Sequence, residues 1–145
     1  MKKVLIFGVF DLFHFGHLRI IKRAAKLGDY CIVAVQTDEY ITKYKPPGAT
    51  GALYSTEERI EMIRALRCVD EVIPYNVVAE DIQKIEFDIY VKGSDNVHTG
   101  ILSAIKWCEE NDKEVVTLPR TEGISSTYLK RLIADLNKDE TGDQK

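Results

Sequence analysis

The side chains most able to do chemistry stand close together near the amino terminus, in Gly8-Val9-Phe10-Asp11-Leu12-Phe13-His14-Phe15-Gly16-His17. An imidazole can donate a hydrogen bond to a phosphate oxygen whose charge grows as a bond to phosphorus forms or breaks. His14 and His17 share one turn with Gly16 between them, and a glycine there lets a phosphate approach the backbone closely. One isolated histidine would read as a polar turn residue; a pair in this setting favours a site. Asp11 opens the turn and could orient a backbone amide or a histidine. A second group lies near the other end, Arg120-Thr121-Glu122-Gly123-Ile124-Ser125-Ser126-Thr127. Arginine can grip two phosphate oxygens at once. Ser125, Ser126 and Thr127 directly precede an apolar helical stripe, so one is an N-cap and the others sit in the first turn. Alone, this second group could be an ordinary capped helix after a surface turn.

The elements that must position these groups follow from periodicity. Val4-Leu5-Ile6-Phe7 is an unbroken apolar run, which is how a parallel strand covered on both faces reads. Leu18, Ile21 and Ala25 follow at helical spacing, so the histidine turn joins a strand to a helix. Such turns lie at the carboxyl ends of strands in open α/β sheets, where ligands bind. The helix start offers unpaired N–H groups and the positive end of a dipole to an anion. Four further strands are expected at Tyr30–Val35, Asp70–Pro74, Asp88–Lys92 and Glu114–Leu118, separated by helical segments. Ser55-Thr56-Glu57-Glu58 is a capping box. Lys43-Tyr44-Lys45-Pro46-Pro47-Gly48-Ala49-Thr50-Gly51 carries prolines and glycines that break regular structure, so it reads as a loop. Leu129, Leu132, Ile133 and Leu136 mark a last helix, with a polar, frayed tail over 137–145. Strands alternating with helices predict one Rossmann-like α/β domain over 1–136, a doubly wound parallel five-stranded sheet with helices on both faces.

Composition narrows the function classes. The 145 residues are 45% hydrophobic and 30% charged, with a net charge of −3. A basic field for nucleic acid or an acidic membrane surface is therefore missing, and an anionic ligand must be held by local groups. The apolar run after Met1-Lys2-Lys3 stops at Gly8, too short for a signal peptide or a membrane span. Cys31, Cys68 and Cys108 are odd in number and embedded in apolar segments, as reduced core residues of a cytoplasmic protein would be. Neither a G-x-G-x-x-G fingerprint nor a P-loop follows the first strand. That disfavours a flavin- or NAD-binding electron carrier and Walker-type phosphate chemistry. Lys92-Gly93-Ser94-Asp95 ends the fourth strand at the same edge. Asp95 either helps to hold Mg²⁺ or serves as a turn or N-cap aspartate.

The histidine turn resembles the G-T-F-D-x-x-H-x-G-H signature of the nucleotidylyltransferase superfamily, with Val9 in place of the usual threonine. Arg120 to Thr127 is similar to the R-T-E-G-I-S-T-T/S element of its cytidylyltransferase branch. The likeness also runs through Leu27-Gly28-Asp29-Tyr30, Ser55-Thr56-Glu57-Glu58-Arg59 and Val69-Asp70-Glu71-Val72-Ile73-Pro74, covering nearly the whole chain. It implies transfer of CMP from CTP to a small phosphorylated alcohol, glycerol 3-phosphate first among the acceptors, with release of pyrophosphate. Other acceptors (a sugar phosphate, glycerol 2-phosphate, phosphoethanolamine), ATP-dependent adenylyl transfer, and a non-catalytic nucleotide-binding domain are the alternatives. The resemblance implies His14, His17 and Arg120 as catalytic groups. It implies a lysine, Lys43 or Lys45, that reaches the triphosphate. Gly8, Val9, Phe10, Asp11, Gly16, Gly93, Asp95, Thr121, Gly123, Ile124, Ser125, Ser126 and Thr127 would border the nucleotide. Arg67, together with Asp11, would meet the acceptor, Mg²⁺ would accompany CTP, and the enzyme would be a homodimer. A CDP-glycerol product would feed a cell-surface polymer such as teichoic acid or capsule.

Overall fold

Strand β1 (Lys3–Gly8) divides its side chains between two apolar layers. Val4 and Ile6 face one layer with Ile21 and Ala24 of α1 (Phe15–Ala25) and Ile63 of α3 (Thr56–Arg64). Leu5 and Phe7 face the other, with Ile101, Ala104 and Cys108 of α5 (Thr99–Glu110). The same alternation runs along β2 (Tyr30–Gln36), where Cys31, Val33 and Val35 join the first layer and Ile32 and Ala34 the second. It recurs in β4 (Ile89–Gly93), which sends Ile89 and Val91 one way and Tyr90 the other. Period-two alternation with both faces buried is what an interior parallel strand requires. The computed structural model describes residues 1–45, 47, 51–94 and 98–143.

Among the described residues the sheet has five parallel strands in the order β3-β2-β1-β4-β5, with β3 (Glu71–Tyr75) and β5 (Glu114–Leu118) at the edges. The chain winds outward from β1 to β3 and then crosses back to β4. The carboxyl ends of β1 and β4 therefore flank a switch point, the crevice where open α/β sheets bind ligands. This is the doubly wound architecture that the alternation of strands and helices predicts.

Three segments differ from expectation. Asp38–Tyr44 forms a helix, α2, whose last residues enter the stretch from Lys43 read as a loop; Thr37 caps it by accepting from the Tyr40 amide, and Asp38 and Glu39 favour its positive end. The helical segment expected after β3 is a single turn, α4 (Val78–Asp81), followed by a 3₁₀ turn at Ile82–Lys84. The last helix, α6 (Ser126–Asp143), runs on past Leu136, so the polar stretch from Asn137 is helical to Asp143. No proline or stop-signal glycine stands between Ser126 and Gly142 to end it sooner.

Candidate active site

A cleft of about 420 Å³ opens at the carboxyl ends of β1 and β4. Gly8, Val9, Phe10 and Asp11 line it from the end of β1, and His14, Gly16 and His17 from the tip of α1. Gly93 borders it from β4, and Arg120, Thr121, Ile124, Ser125 and Ser126 from the approach to α6. The two sequence motifs, at opposite ends of the chain, thus meet over one cavity.

The two imidazoles cap their own helix. His14 is the N-cap of α1; its Nδ1 accepts from the Gly16 amide at 3.0 Å and the His17 amide at 3.4 Å. His17 returns the contact, its Nδ1 accepting from the His14 amide at 3.4 Å. The rings stack with centroids 3.7 Å apart and planes 19° from parallel. This is a capping box built from histidines rather than from hydroxyl and carboxylate. It corrects the expectation of free backbone amides at this helix start, because the Gly16 and His17 N–H groups are already spent on His14. An Nδ1 that accepts carries no proton, so the neutral rings bear theirs on Nε2. What α1 offers a ligand in the cleft is a pair of Nε2–H donors.

Both rings are held neutral. Burial pushes His14 below its ordinary value, helped by the Arg120 charge. Burial pushes His17 down to about 3, His14 adding to the effect and Asp11 opposing it. Phe10 packs edge-on against the His17 ring at 5.3 Å. The Phe10 ring also explains Gly8, since a Cβ on Gly8 would lie 2.6 Å from it. Gly16 has a similar reason: a Cβ there would fall 2.8 Å from Cε1 of His14. The glycine expected to admit a phosphate first admits an imidazole. Phe10 and Leu12 adopt φ of 56° and 47°, a region L-residues rarely occupy, costing on the order of 1–3 kcal/mol each. The turn between β1 and α1 is thus contorted where the candidate chemistry sits.

Asp11, between those two residues, is 3% exposed. Its carboxylate accepts from the amides of Leu53 at 2.8 Å and Tyr54 at 3.0 Å, and pairs with Lys130 at 3.0 Å. Its carbonyl accepts from the Ser126 hydroxyl. Burial alone would push the Asp11 carboxyl up, but the two amides and Lys130 outweigh it and hold the group below the usual carboxylate value. Asp11 therefore orients amides, as the sequence suggests, and not a histidine. Ser125 is the N-cap of α6, its Oγ accepting from the Tyr128 amide at 3.0 Å.

Other expected site residues stand elsewhere. Lys43, in the last turn of α2, and Lys45, just beyond it, are exposed and outside the cleft lining. Ile41 lines the cleft instead, and two positions on from it a helix has turned about 200° away. Arg67 is exposed in the turn from α3 into β3. All strands are parallel, so that turn is at the edge of the sheet opposite the cleft, and one chain cannot bring Arg67 to an acceptor there. Gly123, with φ of 83°, lies in the approach to α6 and exposed Thr127 in its first turn, and neither lines the cleft. Asp95 lies outside the described residues. Among those described, no group of three or more His, Cys, Asp or Glu is placed to share a metal ion.

Sequence reasoning missed Lys130, which lines the cleft, and Arg59, which is fully buried beneath it. Arg59 donates to the carbonyls of Tyr54, Val9 and Gln36, to Asp38 at 2.6 Å and to Thr56. All five of its N–H donors find acceptors. It ties the chain leaving β1, the end of β2, α2 and α3 into one floor. A cation one position after a capping box was the available signal.

Comparison with known proteins agrees with this architecture. The cytidylyltransferase-like family model matches residues 5–132. The chain is 42% identical to glycerol-3-phosphate cytidylyltransferase of Bacillus subtilis (strain 168), over 94% of this chain and 100% of that protein. It is 39% identical to the enzyme of the same name from Staphylococcus aureus (strain NCTC 8325 / PS 47), over 90% of this chain and 94% of the relative. Among solved structures, a lipopolysaccharide core biosynthesis protein from Thermoplasma volcanium GSS1 superposes with a TM-score of 0.71, covering 84% of this chain and 99% of that one. At 23% identity it speaks for the fold alone. With a histidine pair and an arginine–serine helix tip brought to one switch-point cleft, this chain belongs to the cytidylyltransferase-like family.

Proposed function

We propose that the protein transfers CMP from CTP to glycerol 3-phosphate, forming CDP-glycerol and pyrophosphate. An oxygen of the acceptor phosphate attacks the α-phosphorus of CTP, and the bond from that phosphorus to the bridging oxygen breaks as pyrophosphate leaves. The observation that carries this reading is the convergence of the α1 and α6 tips on one cleft. The Nε2–H groups of His14 and His17 donate to oxygens at the reacting phosphorus, where charge develops. Arg120 and the Ser125 hydroxyl hold the remaining phosphates at the tip of α6. Ser125 and Ser126 each spend a contact on backbone groups and neither is paired with a base, which supports direct in-line displacement rather than a covalent intermediate. Catalysis is then positioning plus charge stabilisation.

Mg²⁺ enters as part of the metal–nucleotide substrate. Asp11, the acidic side chain among the described cleft residues, already has its carboxylate engaged, so the described residues do not form a metal site and no step is routed through the ion. A CTP-dependent enzyme of this kind belongs in the cytoplasm, and no helix of the described residues is long and apolar enough to cross a membrane. A homodimer is part of the same reading, supported by an apolar stripe that α6 leaves exposed. CDP-glycerol would supply a cell-surface polymer.

The test is a matrix of the four nucleoside triphosphates against glycerol 3-phosphate, glycerol 2-phosphate, phosphoethanolamine and sugar phosphates, reading pyrophosphate. Release with CTP and glycerol 3-phosphate well above every other pair is the expected result. Stronger release with ATP, or with another acceptor, would replace the substrate assignment. Silence across the matrix would favour a non-catalytic nucleotide-binding protein.

A further inference from the structure

Helix α6 begins at the Ser125 tip. From Arg131 to Lys138 every residue is exposed. Ser126 and Lys130, in its first two turns, both reach back to the same residue. Ser126 donates its hydroxyl to the Asp11 carbonyl, and Lys130, four positions on and so on the same helix face, pairs with the Asp11 carboxylate at 3.0 Å. Asp11 in turn stands in the left-handed turn, three residues before His14, and its carboxylate also anchors the segment entering α3 through Leu53 and Tyr54. An exposed ion pair would contribute almost nothing. Here the Asp11 side chain is 4% exposed and that of Lys130 27%, so the carboxylate depends on its partner.

We propose that Lys130 is a positioning residue for nucleotidyl transfer: through Asp11 it sets the α6 tip, with Arg120 and Ser125 before it, at a fixed distance from the His14–His17 pair. This rests on the reading that one triphosphate lies between those two tips. Loss of the latch lets the α6 tip drift while the α1 histidines stay in place. The grip on the non-reacting phosphates weakens equally in ground and transition states, which raises KM and spares kcat.

The experiment is steady-state kinetics on Lys130→Met, Lys130→Arg, Asp11→Asn and the Asp11→Asn/Lys130→Met double variant, with His17→Ala in parallel. Lys130→Met is expected to raise the KM for CTP by about tenfold to a hundredfold with kcat within about threefold of wild type. Lys130→Arg, keeping charge and reach, should restore most of it. The double variant should cost no more than the worse single one, since both break the same contact. A fall in kcat at unchanged KM would make Lys130 a transition-state contact and overturn the proposal, as would additive losses. A lowered melting temperature with wild-type kinetic constants would reduce the pair to a structural bridge. If His17→Ala loses turnover while Lys130→Met behaves as wild type, the latch fails and the site reading stands; if both turn over normally, the site reading itself fails.

Discussion

His17 shows how a side chain is prepared for one task. Its Nδ1 is turned onto the backbone, its ring is stacked on His14, and burial keeps it uncharged. A neutral imidazole with its proton on Nε2 is a donor, not a general base, at neutral pH. Removing such a donor from a phosphate-transfer site typically costs about 100- to 1,000-fold in rate. His17→Ala is therefore expected to lose that much kcat in a pyrophosphate-release assay while melting as a folded protein. The same burial has a pH signature. The folded-state value lies well below the ordinary 6.5, so the unfolded chain binds this proton first. Its contribution to stability is complete above about pH 6.5 and is lost as pH falls toward 3. Denaturant midpoints of wild type and His17→Asn should differ most near neutrality and converge as the pH is lowered to 4. A gap that widens on acidification would contradict a buried neutral ring. Both histidines were legible in the sequence because the motif is local. Lys130 was not, for its partner lies beyond any local window, much as Ser126 and Asp11 are separated by 115 positions.

Helix ends and strand ends carry the candidate site. The tips of α1 and α6 supply the donors, and Arg59 knots the chain after β1 to β2, α2 and α3 beneath them. Arg59 is 0% exposed, and truncating it leaves the carbonyls of Tyr54, Val9 and Gln36 without the donor they now have. Arg59→Met is expected to destabilise the fold by about 3–5 kcal/mol, at about 1–3 kcal/mol for each buried carbonyl left unpaired, measured by chemical denaturation, and a cost near zero would show that the knot is replaceable. The elements themselves were read from apolar periodicity, which located β1 to β5 and most helices. α2 escaped that reading because it spans only seven residues and the prolines beyond it dominate the local pattern. Its signal was the Thr37 cap followed by Asp38 and Glu39, a polar signature and not an apolar one. The expected reach of Lys43 and Lys45 changed for the same reason, since a helical α2 turns Ile41 to the cleft and carries the lysines past its rim.

At the scale of the molecule, α6 extends from the site with Leu132, Ile133 and Leu136 exposed to 41, 50 and 64%. These are spaced for one helix face. Two copies of α6 set against one another would share this apolar seam. Light scattering after size exclusion is expected to give twice the monomer mass for wild type. Ile133→Asp/Leu136→Asp should give the monomer mass. A monomeric wild type, or a dimer indifferent to both substitutions, would remove this interface.

The sequence by itself determined the fold class, the strand order's raw material and both candidate site motifs, because hydrophobic period, caps and short motifs act between near neighbours. Only the tertiary structure decided that the two motifs share one cleft. It also assigned the α1 amides to an imidazole, turned Lys43, Lys45 and Arg67 away, and made Asp11 the anchor of α6. Those outcomes depend on which distant groups meet when β1 and β4 pair side by side, and pairing across the chain is written in packing rather than in spacing.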